Sequence, residues 1–147
     1  MEDTSPIILA YSGGLDTSFC VPWLKETYNR PVVTMCINTG GLDDAAAASL
    51  EERALSLAAR EPWLVEARHV CFDRVLKYLI AGNVRRGNLY PLCVGAERGI
   101  QATLLAEIAS ERGSTTVAHG CTAAGNDQVR FEVALRTINP GLEVLAP

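Results

Sequence analysis

Short apolar runs alternate with longer amphipathic stretches along this chain. Residues 7–11 (Ile-Ile-Leu-Ala-Tyr) form a run that stops at Ser12-Gly13-Gly14, as expected of a buried parallel strand ending in a tight turn. Leu15–Tyr28 has helical spacing, with Pro22 expected to bend it or confine its regular part to the residues after the proline. Residues 32–37 read as a second strand, closed by a turn at Asn38-Thr39-Gly40-Gly41, and the Ala/Leu/Glu-rich residues 43–60 as a helix. The run at 69–72 is predicted as a third strand, with Asp73 capping a helix to about Ala81 that Gly82-Asn83 ends. A loop is predicted over 87–95, a helix over 100–112 before Gly113, and a fourth strand at 115–118. A loop at 119–126, a helix at 127–138 and a last strand at 142–145 complete the reading.

Strand and helix alternate throughout. This predicts an α/β fold, a doubly wound open parallel sheet of about five strands with helices on both faces. Ligands bind such sheets at the carboxyl ends of the strands. The 147 residues suit one domain, with no repeat, low-complexity tract or internal linker.

A net charge of −4 without any Lys/Arg-dense run argues against a nucleic-acid or membrane-surface partner. The polar, acidic first residues and the brief apolar run after them predict neither signal peptide nor membrane span, and hence a cytoplasmic protein. Five widely spaced cysteines without a C-x-x-C pair read as reduced packing thiols, Cys121 included. His69 is assigned no role, and no residue is assigned as a protein metal ligand.

Two turns carry candidate chemistry. The first is Tyr11-Ser12-Gly13-Gly14-Leu15-Asp16-Thr17-Ser18. Its glycines let backbone N–H groups converge on an anion, its hydroxyls add donors, and the helix start adds partial positive charge, so it could hold a pyrophosphate. The lesser alternative is a tight turn with Asp16 to Ser18 only capping a helix. Neither a Walker A loop nor a G-x-G-x-x-G fingerprint occurs there. The second is the run from His119-Gly120-Cys121-Thr122 through Asn126-Asp127-Gln128-Val129-Arg130-Phe131-Glu132. Its Thr, Asn, Asp and Arg match an α-amino acid, with Asp for an ammonium and the other groups for a carboxylate. The alternative is a helix capped by Asn126 or Asp127 with Arg130 in solvent.

With A-Y-S-G-G-L-D-T-S at 10–18, H-G-C-T-x-x-G-N-D-Q-V-R-F-E at 119–132, and Tyr90-Pro91-Leu92 with Arg98 between them, the chain resembles argininosuccinate synthase from about residue 7 onward, in a divergent bacterial form. The resemblance implies an N-type ATP pyrophosphatase (adenine-nucleotide alpha-hydrolase-like) fold. It also implies ligation of citrulline to aspartate, driven by cleavage of ATP to AMP and pyrophosphate with magnesium. The citrulline ureido oxygen would attack the α-phosphorus, and the aspartate amine would then displace AMP.

Carried onto this chain, the resemblance assigns Ala10, Tyr11, Ser12, Gly13, Gly14, Leu15, Asp16, Thr17 and Ser18 to ATP. Ile37 would contact adenine through its backbone, and His119 and Gly120 would line the nucleotide site. Thr122, Asn126 and Asp127 would bind aspartate; Tyr90, Asn126 and Arg130, with the position of Gly95, would meet citrulline. Asp16, Asp127 and Arg130 are the expected catalytic groups. The chain departs from the family pattern at Gly95 (a Ser in many members), at Ala123-Ala124 (commonly Gly-Lys) and at Arg98-Gly99 (usually Arg-Pro). The resemblance further implies that residues 1–147 are the nucleotide-binding domain, with the synthetase domain absent from this chain. Either a homo-oligomer or a separate synthetase-domain partner is then expected. A related pyrophosphate-loop enzyme with another substrate and a non-catalytic nucleotide-binding regulatory module are the competing readings.

Overall fold

The computed structural model describes residues 4–123 and 125–147. Five parallel strands form the sheet: β1 Ile7–Ala10, β2 Val32–Asn38, β3 Glu61–Glu66, β6 Thr116–His119 and β7 Glu143–Leu145, in the order β3-β2-β1-β6-β7. The main helices are α1 Leu15–Tyr28, α2 Asp44–Ser56, α5 Cys93–Glu111 and α6 Asn126–Ile138.

Alternation of side chains along β1 supplies both cores. Ile8 points to one face, where it joins Val33, Met35 and Val117 against Ala102, Leu105, Ala106 and Ala109 of α5 and Phe131 and Leu135 of α6. The α5 residues recur at i, i+3, i+4 and i+7, a single helical stripe. Ile7 and Leu9 point to the opposite face, against Cys20, Val21 and Leu24 of α1 and Ala54 of α2. At the amino edge of the sheet, buried Arg30 donates to the Ser5 carbonyl at 2.8 Å and to Thr116 Oγ1 at 3.0 Å.

Several predicted elements shift. The third strand is not residues 69–72 but Glu61–Glu66, which pairs with Val33 to Asn38. Pro62 and the flanking glutamates disguise it, and an edge position tolerates the missing donor of Pro62. His69 to Cys71 belong instead to α3 Arg68–Cys71, which continues through a π-helical stretch, Phe72–Leu76, into α4 Lys77–Ala81. Asp73 therefore lies inside helical structure, paired with Lys77 at 3.3 Å, rather than capping it. Pro22 does not interrupt α1, which runs on both sides of it. The predicted loop at 87–95 holds half of a small hairpin, β4 Arg85–Arg86 against β5 Tyr90–Pro91, turned through Gly87 and Asn88 at positive φ. α5 begins seven residues before the predicted start at 100, because Gly95 and Gly99 weaken the helical signal of its first turns. Gly99 thus lies within a helix rather than at its entrance. His119 closes β6 instead of opening a loop.

Strand order reverses direction between β1 and β6: β2 and β3 extend to one side, β7 to the other. Loops leaving adjacent strands at such a switch point diverge to opposite faces and open a crevice at the carboxyl edge.

Candidate nucleotide and amino-acid site

A cleft of about 720 Å³ occupies this switch point. Ala10, Tyr11, Ser12 and Thr17 line it from β1 and its loop, and Ile37 from the end of β2. His119, Gly120, Thr122, Asn126, Asp127 and Arg130 line it from the end of β6 and the start of α6. The two sequence motifs thus form facing walls.

The first loop is shaped by Gly13. Its φ of +72° favours glycine, and a Cβ there would stand 2.0 Å from Leu50 Cδ2 on α2, so any larger residue would also have to displace that leucine side chain. Arg53 of α2 donates to the Gly13 carbonyl at 2.6 Å, holding the loop from outside. Ser12 Oγ and Thr17 Oγ1 stand 3.2 Å apart, and Gly14 N–H donates to Ser12 Oγ at 3.4 Å. Bonds of this length are weak and exchangeable for an incoming anion. Gly14 is the N-cap of α1, and no side chain caps that helix, Asp16 and Ser18 included. The first-turn N–H groups of α1 therefore keep their anion-binding capacity. Gly13, Gly14, Leu15, Asp16 and Ser18 belong to this loop and first turn without lining the cleft wall; Leu15 is 87% exposed and Asp16 is exposed.

On the facing wall, Gly120 passes so close to α1 that a Cβ would approach Thr17 Cγ2 at 3.0 Å. His119, 1% exposed, accepts from Cys121 N–H at Nδ1 (3.3 Å), so its proton sits on Nε2, which has no partner among the described residues. Burial pushes its pKa down, partly offset by the Glu132 carboxylate. Its ring packs on Phe131, 5.7 Å between centroids.

α6 has Gly125 as N-cap with no side-chain cap, so neither Asn126 nor Asp127 serves that purpose. Asp127 instead accepts from Arg130 Nη1 at 2.9 Å through Oδ1 and faces Arg98 Nε at 3.4 Å through Oδ2. Arg130 is therefore engaged within the cleft, and the point where a Gly95 Cβ would stand is 3.4 Å from its guanidinium. Tyr90 is 53% exposed on the hairpin and does not line the cleft. Burial raises the Cys121 thiol pKa, as suits a packing residue. Ala123 is exposed, and Ala124 lies outside the described residues.

Sequence reasoning missed part of the wall: Asn38, Thr39, Glu97 and Gln101 also face the cleft. The Asn38 carboxamide accepts from Gly40 N–H at 2.9 Å and donates to the Leu42 carbonyl at 3.2 Å, fixing the loop after β2. Thr39 donates to Glu97, which also accepts from Gln101 Nε2 at 3.2 Å. Asn38 and Thr39 were legible only as a turn, and Glu97 fell between the predicted loop at 87–95 and the predicted helix start at 100. Among the described residues no group of three or more His, Cys, Asp or Glu side chains could hold a metal ion, and no helix is long and apolar enough to cross a membrane.

A parallel sheet ordered 3-2-1-6-7, with a Ser-Gly-Gly loop entering a helix at its switch point, defines a pyrophosphate-loop type of nucleotide-binding α/β domain. Solved structures share the fold. An NH3-dependent NAD synthetase from Campylobacter jejuni is 17% identical with a TM-score of 0.58, covering 80% of this chain and 47% of that one. A predicted subunit of tRNA methyltransferase from Methanocaldococcus jannaschii is 16% identical with a TM-score of 0.64, covering 97% and 67%. Residues 6–147 match the family described as the Arginosuccinate synthase N-terminal HUP domain, and the chain belongs to that family. Argininosuccinate synthase of Symbiobacterium thermophilum is 43% identical over 141 residues, 95% of this chain. That of Bacillus thuringiensis subsp. konkukian is 39% identical over 145 residues, 99% of this chain. The chain spans about 35% of the length of these relatives.

Proposed function

We propose that this chain is the nucleotide-binding part of a ligase that joins citrulline to aspartate, forming argininosuccinate and releasing AMP and pyrophosphate from ATP. One observation carries the reading: the switch-point cleft sets an uncapped helix start and its Ser-Gly-Gly loop opposite Thr122, Asn126, Asp127 and Arg130. Phosphates suit the first wall and an α-amino acid the second, so an activated oxygen and an amine can meet between them. Positioning and charge neutralisation are what such a reaction needs from protein.

In this reading the triphosphate lies along Ser12 to Ser18, with the base toward Ile37 and with His119 and Gly120 beside it. Magnesium, carried by the triphosphate and water, needs only one or two protein carboxylates, and exposed Asp16 at the mouth of the loop fits that role. The metal would neutralise phosphate charge. Thr122, Asn126 and Asp127 would receive aspartate, while Asn126, Arg130, Tyr90 and the Gly95 turn would receive citrulline. Tyr90 meets citrulline only if the hairpin closes over the cleft or another part of the enzyme presses it inward. We assign completion of the citrulline pocket to a synthetase region, on the same chain or a partner, and place the protein in the cytoplasm.

Saturation-transfer NMR with Mg-ATP, citrulline, aspartate and glutamate tests the reading, followed in the same samples by pyrophosphate release. Contact from ATP, citrulline and aspartate over glutamate, with only trace release by residues 1–147 alone, is the expected result. An absence of ATP contact, or equal contact from glutamate and aspartate, contradicts it.

A further inference from the structure

Two carboxylates line the cleft, and their surroundings differ. Asp127 meets a guanidinium through each oxygen, Arg130 at 2.9 Å and Arg98 at 3.4 Å, and the three groups together carry one excess positive charge. Glu97, on α5, has no ion-pair partner among the described residues. Its Oε1 accepts from the Thr39 hydroxyl and from Gln101 Nε2, and its Oε2 has no partner there. Gln101 is itself oriented, since its Oε1 accepts from Arg98 Nη1 at 2.8 Å and its amide nitrogen is thereby turned to Glu97. The carboxylate is held in place with one oxygen unengaged.

We propose that Glu97 receives the α-ammonium group of the amino-acid substrate whose amine is not consumed. A fixed, half-buried carboxylate with an unengaged oxygen favours a cationic donor. Asp127, whose oxygens face Arg130 and Arg98, is already assigned to aspartate in the reading above. The excess positive charge of the Arg98, Asp127 and Arg130 cluster lies in the same cleft for the carboxylate end of the same zwitterion. The assignment rests on the ligase reading above. There, the aspartate amine must lose its proton to act as nucleophile, whereas the citrulline ammonium stays charged throughout. Glu97 is thus assigned to citrulline and acts as a specificity determinant.

Calorimetry at saturating Mg-ATP, titrating L-citrulline and its des-amino analogue into wild type and Glu97→Gln, tests this. Glutamine keeps an acceptor for Thr39 and Gln101 while removing the charge. The expected result is citrulline binding weakened about tenfold or more in Glu97→Gln, because the substitution removes a charge-assisted hydrogen bond to the ammonium. A similar loss is expected for the analogue on wild type, and Glu97→Gln should hold the two ligands within about twofold of each other. Glu97→Asp should recover part of the affinity, and Mg-ATP and aspartate affinities should be unchanged. Equal discrimination against the analogue by wild type and Glu97→Gln overturns the proposal. So does a loss that falls on ATP instead, or an absence of citrulline binding while Mg-ATP binds. If Mg-ATP fails to bind wild type, the ligase reading itself falls, and the Glu97 assignment with it.

Discussion

Gly13 is the residue on which backbone and packing converge. Its φ of +72° strains any larger residue, and a Cβ would displace Leu50, whose Cδ2 stands 2.0 Å from that point. We predict that Gly13→Ala destabilises the chain by about 1–3 kcal/mol, since it combines strain with displacement of Leu50; chemical denaturation measures it. His119 offers a pH-dependent counterpart. Burial lowers its folded pKa below the ordinary imidazole value of 6.5, so the unfolded chain binds the proton more readily. Stability is then full above pH 6.5 and is lost as pH falls through the depressed folded value, with a slope of up to about 1.4 kcal/mol per pH unit. Glu132, whose pKa is lowered chiefly by its Gln128 hydrogen bond, acts in the window below the ordinary carboxylate value of 4.5. Unfolding curves between pH 7 and 5 should therefore flatten in His119→Gln; an unchanged slope would remove His119 as the cause. Both residues stood out in the sequence, Gly13 by its motif and His119 by its place before Gly120. The sequence could not show that His119 is buried with an Nε2 that lacks a partner among the described residues, because that depends on Phe131 folding over it from α6.

At the scale of elements, α2 owes its start to Asp43, whose carboxylate accepts from Ala46 N–H at 2.8 Å. Asp43→Ala is expected to cost about 1 kcal/mol, read from the denaturation midpoint at unchanged slope. α5 carries the packed stripe, and truncating its buried Leu105 should cost about 2–5 kcal/mol by the same measure. The elements that the sequence revealed are those where local pattern and tertiary position agree. The apolar run of β1 ends at a glycine pair, and α2 combines a cap with a run of good helix formers. Those it concealed are places where tertiary position overrides local pattern. β3 accepts Pro62 because it lies at the sheet edge, the short run at 69–72 suited strand or helix equally, and Gly95 and Gly99 interrupt the helical signal of α5. The misplaced start of α5 mattered most for function, since it left Glu97 outside any predicted element.

On the scale of the whole molecule, strand order turns two distant motifs into one site. The loop after β1 and the loop after β6 are more than a hundred residues apart in sequence, yet β1 and β6 pair directly, Ala10 opposite His119. Alternation of elements predicted a parallel sheet, and the family motifs implied which loops matter. Neither indicated that the loop after β2 would join the wall through Thr39 and Glu97, a contact set by how α5 packs on the sheet. The central claim is that this switch-point cleft holds ATP through the loop at residues 12–18. Isothermal titration of Mg-ATP into wild type, Ser12→Ala and Asp16→Ala tests it most directly, with Lys77→Ala on the remote α4 as control. The account predicts saturable one-to-one binding that weakens about tenfold in each loop variant and is unaltered in the control. Wild-type chain that does not bind Mg-ATP, or loop variants that bind it as tightly as wild type, would contradict it.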